Sequence, residues 1–306
     1  MNESALSAER SCRERHPSRV HEAHQRHQAR EGRSSRARHE GPAATRWQQV
    51  VRVVRAGRVS SFPLLFSDQA RSILARGYDA FTTDRAYQLS PNGWAGPIGR
   101  AADRRVLALP VHVALRERLV IVADALERAV RAAACDPVGV LSAPCGLIRD
   151  LTEAAERLSD VRVTWTAADL DDRGDVLPEA IRRSRTAGLN VAFVRGDLFD
   201  PATWNRLASR SPFHVASCIG LTAWVGLDEV GRLAERFHDF LGPGGTLLMD
   251  NWREDTDAAL ARALDLPAHY HDSLAFRRTL EREGFVVERR RSTSRGVNTL
   301  WVLHRR

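Results

Sequence analysis

Pro137-Val138-Gly139-Val140-Leu141-Ser142-Ala143-Pro144-Cys145-Gly146-Leu147-Ile148-Arg149-Asp150-Leu151 decides the fold class. A short run of apolar residues breaks at Pro144 and Gly146 and resumes at helical spacing, which reads as a buried strand turning sharply into a helix. In open α/β sheets such a turn is where nucleotide-like ligands bind. Asp169, ending the next predicted strand, lies 23 positions beyond Gly146, about the spacing that brings a carboxylate to a ribose hydroxyl.

Outward from that turn, strand and helix signals alternate, which predicts βαβ units and a mainly parallel sheet. The predicted strands are Val138–Ala143, Val161–Ala168, Val191–Arg195, His214–Ile219, Thr246–Asp250, Phe285–Arg290 and Thr299–His304. Helices are expected at Leu147–Leu158, Leu177–Thr186, Pro201–Ala208 and Leu227–Leu241. Only Arg291–Asn298 joins the last two strands, too short for a parallel crossover, so they must pair antiparallel. The expected fold is therefore α/β: a seven-stranded, mainly parallel, doubly wound sheet with an antiparallel C-terminal hairpin and an N-terminal helical cap.

The chain divides into three regions. Residues 1–46 are rich in Arg, His, Ser and Glu with almost no large apolar side chains, and read as a disordered tail. His21, His24 and His27 share a three-residue spacing within it, a compositional feature rather than a metal site. Residues 47–134 read as a helical cap or lid. It starts with Val50, Val51, Val53 and Val54, is interrupted by Ser90-Pro91-Asn92-Gly93-Trp94-Ala95-Gly96-Pro97, and ends in a stripe of Leu115, Leu119, Val122, Leu126 and Val130. Residues 135–306 form the α/β domain.

Composition narrows the function. The net charge is +8, but residues 1–46 hold ten arginines against six glutamates, leaving only +4 on the other 260 residues. That disfavours a nucleic-acid surface on the folded part. All 46 basic residues are arginine, the bias of a GC-rich bacterial genome. Cys12, Cys135, Cys145 and Cys218 stand apart, so neither a disulfide framework nor a zinc site is indicated, and no metal is expected. No apolar run approaches the ~18 residues of a membrane span, and no secretory signal core is evident, so a cytoplasmic location is expected.

With its terminal hairpin and four motif-like stretches, the region 135–306 resembles class I S-adenosylmethionine-dependent methyltransferases. In that family the first strand ends in an acid followed by G-x-G-x-G. Here Ser142 replaces the acid, Pro144 the first glycine and Ile148 the third, while Gly146 remains. Thr166-Ala167-Ala168-Asp169-Leu170-Asp171-Asp172 resembles the ribose-binding strand end, with Asp171 and Asp172 read as turn or capping residues. Asn190-Val191-Ala192-Phe193-Val194-Arg195-Gly196-Asp197-Leu198-Phe199-Asp200 resembles the adenine-binding segment. Phe240-Leu241-Gly242-Pro243-Gly244-Gly245-Thr246-Leu247-Leu248-Met249-Asp250 is the clearest local match, to the family's glycine-rich turn and fifth strand.

The resemblance implies S-adenosylmethionine as cofactor, held at Ala143, Gly146, Asp169, Leu170, Asp197, Leu198 and Ile219. Asp169 would take the ribose and Asp197 the adenine amino group, with Leu198 packing on the base. It implies methyl transfer to a small organic acceptor, such as a secondary metabolite, beneath the cap. Asn251, Trp252, His269, Tyr270, His271, Tyr78, Asp84 and Tyr87 are candidates near the acceptor, and Trp224 and Trp252 could wall an apolar pocket. His214 reads as structural, and no catalytic residue is assigned. The alternative is a noncatalytic cofactor-binding or partner protein, since the first loop has lost its acid and two glycines. A nicotinamide oxidoreductase is disfavoured by the missing G-x-G-x-x-G and by the hairpin.

Overall fold

A computed structural model describes residues 66–94, 96–254, 258 and 268–306. The Arg-rich tail, its histidines and Val50–Val54 lie outside the described residues. Among the described residues four helices precede the sheet: α1 (Asp68–Arg76), α2 (Ala80–Gln88), α3 (Gly96–Leu107) and α4 (Pro110–Ala132). The Gly/Pro-rich stretch separates α2 from α3, as its breakers dictate. A Cβ on Gly93 would stand 2.1 Å from the Arg100 nitrogen, so only glycine permits this approach. Buried Asp103 ties these helices together by accepting from Ser67 Oγ and from the backbone N–H groups of Gln69, Asn92 and Gly93.

The sheet comprises β1 (Val138–Ser142), β2 (Val163–Asp169), β3 (Val191–Arg195), β4 (Phe213–Cys218), β5 (Leu241–Trp252), β6 (Phe285–Ser292) and β7 (Asn298–Arg305), in the order β3-β2-β1-β4-β5-β7-β6. The first five are parallel, and β7 lies antiparallel between β5 and β6. Between them run α5 (Arg149–Arg157), α6 (Val176–Thr186), α7 (Pro201–Ala208), α8 (Leu227–Phe240) and α9 (Ser273–Arg282). β5 begins at Leu241, earlier than its apolar run suggests. Leu241 pairs with Phe213, the chain bulges through Gly242–Gly245 with Gly244 at φ 70°, and pairing resumes at Thr246.

Helices cover both faces. One face of the sheet packs Leu141, Ala216 and Leu247 against Trp204, Leu207, Leu233, Phe237 and Phe276 from α7, α8 and α9. The other packs Val140, Val215 and Leu248 against Val122, Leu126, Leu151 and Ala154 from α4 and α5. α4 carries its apolar stripe along the second face, so the last helix of the cap is also a layer of the α/β core. Among the described residues no helix is long and apolar enough to cross a membrane.

Candidate functional site

The turn after β1 is stitched to both neighbouring strands. Ala143 N–H donates to Ser217 O, Cys145 N–H to Ala168 O, and Gly146 N–H to Asp169 Oδ2, at 2.8, 2.8 and 2.9 Å. Gly146 has φ 48° and Ile148 φ 52°, so the third glycine position keeps a glycine's backbone while carrying a β-branched residue. That conformation costs about 1–3 kcal/mol and persists only where packing enforces it. The Ile148 side chain is fully buried with Leu151 and Val140, so its bulk enters the core.

Asp169 is half-buried at the end of β2. Its Oδ2 accepts from Gly146 and its Oδ1 from Asp171 N–H at 3.1 Å. Burial raises its pKa above the usual carboxylate value against the pull of those N–H donors, assisted by the charges of Asp171 and Asp172. Two acceptor positions of the carboxylate stay unspent. Leu170 beside it is 51% exposed. Asp171 Oδ1 accepts the first N–H of α6, from Val176, at 2.8 Å, while the N-cap position itself is Asp175.

At the end of the neighbouring β3, Asp197 is exposed, and its Oδ1 accepts from Phe199 N–H at 2.9 Å. Asp200, not Asp197, caps α7. Leu198 turns its side chain into the core, and its carbonyl accepts from Trp204 Nε1 at 2.7 Å. From Leu198, therefore, the main chain and not the side chain is what the strand end offers to a ligand. Ala143 and half-buried Ile219 follow β1 and β4. The seven sequence-derived positions thus sit at the carboxyl ends of four consecutive strands, β3-β2-β1-β4, where open sheets bind ligands.

A buried polar centre lies on the β4 and β5 side. Asp250 Oδ1 accepts Gly220 N–H at 2.7 Å, while Oδ2 accepts Arg118 Nη1 at 3.1 Å and Asn298 Nδ2 at 2.8 Å. Arg118 Nη2 donates to the Tyr87 hydroxyl at 2.5 Å, and the guanidinium lies over the Trp252 ring at 5.4 Å. Sequence reasoning selected Tyr87 but missed Arg118 and the role of Asp250. A charged residue at position 118, between Leu115 and Val122 on a buried helical stripe, was the available signal.

Asp150, in the first turn of α5, is a half-buried acid. Desolvation pushes its carboxyl up to about 6, against its own and Leu151's N–H groups and the Arg118 charge. Ser142 and Ser217 are register partners on β1 and β4, 1% and 0% exposed, and neither hydroxyl has a hydrogen-bond partner among the described residues.

Other candidates have structural places. Asp84 accepts Arg149 Nε at 2.6 Å and both Arg183 Nη atoms at 2.8 Å, docking α2 on α5 and α6. Burial would raise its pKa, but these guanidiniums outweigh it and hold the carboxyl below its ordinary value. Asn251 donates to His271 O and accepts from Trp301 Nε1, and His271 Nε2 lies 2.9 Å from Thr222 O. His269 is exposed and stacks on His271, while Tyr78 packs on His112. Trp252, Tyr87 and Tyr270 join Leu115 in an apolar cluster between cap and β5, and Trp224 stays 38% exposed. His214 Nδ1 accepts Gly139 N–H, a structural bond. An open groove of about 370 Å³ on β3 and α7, lined by Arg195, Arg206 and Arg210, contains none of the seven positions.

This strand order, with β7 inserted antiparallel, is the fold of class I S-adenosylmethionine-dependent methyltransferases. No protein-family model matches the sequence, and no curated protein matches it. Among solved structures, the chain resembles a "possible exported protein" from Bordetella parapertussis, with a TM-score of 0.70 and 21% identity over 88% of this chain and 98% of the other. It also resembles magnesium protoporphyrin IX methyltransferase from Synechocystis, solved with S-adenosylhomocysteine bound, with a TM-score of 0.52 and 12% identity over 77% of this chain and all of that one. Identity this low establishes the fold and leaves the chemistry to be argued from the residues.

Proposed function

We propose that this chain transfers a methyl group from S-adenosylmethionine to a small organic acceptor. The observation that carries the reading is the pair of carboxylates at consecutive strand ends, Asp169 and Asp197, flanking exposed Leu170 beside the Gly146 turn, within this strand order. The orphaned hydroxyls of Ser142 and Ser217 fit a polar ligand at the neighbouring strand ends.

Asp169 would accept the ribose hydroxyls through its unspent lone pairs, as ionised acceptors do strongly. Asp197 would take the adenine amino group, with Leu170 and the Leu198 backbone beside the ring. The Ala143 carbonyl and Ile219 border the remainder. The bound cofactor supplies a methyl group already activated on a sulfonium. What is left to the protein is alignment and exclusion of water. The cap serves both ends: Asp84 and Arg118 anchor α2 and α4 over the strand ends, and Tyr87, Trp252 and Tyr270 give the covering an apolar lining suited to a small acceptor.

Isothermal titration of the full chain tests the reading. S-adenosylmethionine and S-adenosylhomocysteine should both bind, and Asp169→Ala should weaken both strongly; absence of binding at millimolar ligand would sink the proposal. A noncatalytic cofactor-binding role is the second reading. It is favoured by the loop N–H groups of Cys145, Gly146 and Ile148, all spent inside the protein. Bound cofactor that never yields S-adenosylhomocysteine with any acceptor would select it.

A further inference from the structure

We propose that the groove between the free edge of β3 and the end of α7 is an anion site, built for a small ligand that carries a phosphate or diphosphate group. This inference stands apart from the proposed methyl transfer, since the groove contains none of the seven cofactor positions and its occupancy can be measured without any cofactor.

β3 is an edge strand that pairs only with β2. The groove of about 370 Å³ is lined by Phe193, Val194 and Arg195 of β3, by Arg206 of α7, and by Ser209 and Arg210 just beyond it. That volume falls in the range of small-ligand sites. Three guanidiniums thus border one opening, and none of them forms an ion pair with a carboxylate among the described residues. On the neighbouring α6, by contrast, Arg182 and Arg183 share Glu179. The contacts that fix the groove arginines are neutral: Arg195 Nη2 donates to Asp171 O at 2.8 Å, and Arg206 Nη2 to Arg195 O at 2.9 Å and Thr203 Oγ1 at 3.2 Å. A guanidinium carries five N–H donors, so most of them stay free.

The backbone makes room for this arrangement. A Cβ on Gly196 would overlap Thr203 Oγ1 and Arg206 Nη2, so Arg206 lies across the end of β3 only because position 196 is glycine. Gly196 N–H donates to Asp169 O on the paired strand, and alternation along the ladder turns the main-chain N–H of Arg195 the other way, to the free edge. Like charges held at one opening repel one another. An anion placed there relieves the repulsion and pairs with forks whose geometry matches its oxygens. One carboxylate offers two oxygens to three guanidiniums, whereas a phosphate or diphosphate offers enough for all three. Half-buried Phe193 leaves ring surface for the organic part of such a ligand.

The test titrates inorganic pyrophosphate into the full chain by calorimetry at low ionic strength, where screening is weak. Wild-type protein should bind it, and Arg206→Gln/Arg210→Gln should lower the affinity at least about tenfold, as expected when two charge-assisted contacts are removed. Arg100→Gln/Arg278→Gln takes the same charge from two exposed positions outside the groove and should change the affinity by less than about twofold. All four side chains are exposed, so both double variants should melt close to wild type. Absence of pyrophosphate binding by wild-type protein overturns the site. Equal losses in the two double variants, or no loss in either, overturn it as well, because arginines elsewhere would then hold the anion. Neither result involves S-adenosylmethionine, so the methyl-transfer reading stands or falls separately.

Discussion

Replacing Asp150 by asparagine should make the unliganded protein more stable. The carboxyl is raised from an ordinary 3.8 to about 6, because burial penalises its ionised form more than the adjoining N–H groups and Arg118 favour it. A carboxyl raised that far corresponds to ~3 kcal/mol at 1.36 kcal/mol per pH unit. The residue is half-buried, so screening reduces this, and a gain of ~1–2 kcal/mol is expected. The sign follows from proton binding. Below about pH 4 the group is protonated folded and unfolded, and the substitution changes little. Between about pH 4 and 6 the folded protein holds a proton that the unfolded chain has lost, so wild-type stability falls as pH rises, and the variant gains on it. Above about pH 6 the advantage is full and flat. Of its neighbours, Arg118 from α4 stays charged, and burial pushes the Tyr87 hydroxyl and Cys145 thiol above their ordinary values. Scanning calorimetry at pH 4.5, 5.5, 7 and 8 should show the variant's melting temperature pulling ahead by a few degrees from the lowest pH to the highest. A variant equal to or less stable than wild type at pH 7–8 refutes the reasoning, because the carboxylate would then be stabilising where it sits.

Asp84→Ala leaves Arg149 and Arg183 without their shared partner and should cost ~1–3 kcal/mol at pH 7. Its carboxyl is held below the ordinary value, so that contribution is present above about pH 4 and lost as pH falls further, and unfolding curves of the two proteins should converge only there. Arg118→Met strands the buried Asp250 charge and should cost ~3–5 kcal/mol; adding Asp250→Asn should recover part of the loss, and additive penalties in the double-mutant cycle would rule out the pairing. Gly146→Ala should cost only ~1 kcal/mol, since φ is 48° but the new methyl would meet Ala80 Cβ at an ordinary 3.6 Å. Gly93→Ala, with a methyl 2.1 Å from the Arg100 nitrogen, should be far more damaging, and a smaller melting-temperature drop for Gly93 than for Gly146 would contradict the geometry.

What was legible in the sequence depended on range. β1 and β4 were visible because strands buried on both faces are nearly continuous apolar runs, and edge strand β3, mostly half-buried, from the apolar run Val191–Val194 alone. The antiparallel hairpin followed from a linker too short to cross over. α9 was missed because three buried positions, Phe276, Thr279 and Leu280, leave it little periodicity among arginines and glutamates. Asp250 could not be read from its neighbours, since Arg118, Gly220 and Asn298 lie 132, 30 and 48 residues away and meet it only in the folded chain. Arg118 was hidden by the general rule that arginines face water.

The first loop shows how a motif can be lost in letters and partly kept in geometry. A glycine-rich turn supplies three things: positive φ, free N–H donors near the ligand, and close helix packing. Here Gly146 and Ile148 both keep positive φ, and Ile148 keeps the packing by sending its side chain into the core. The donors are what changed. Pro144 has no N–H, and those of Cys145, Gly146 and Ile148 are bound to Ala168, Asp169 and Cys145. A ligand at these strand ends therefore finds few free donors in this loop, and Asp169, whose carboxylate keeps two acceptor positions, carries more of its recognition. The hydroxyls of Ser142 and Ser217 and Arg118 Nε are also without partners among the described residues. Recognition has thus shifted from the loop's backbone toward side chains, which is why Asp169→Ala is the substitution that best separates a cofactor site from an inherited fold.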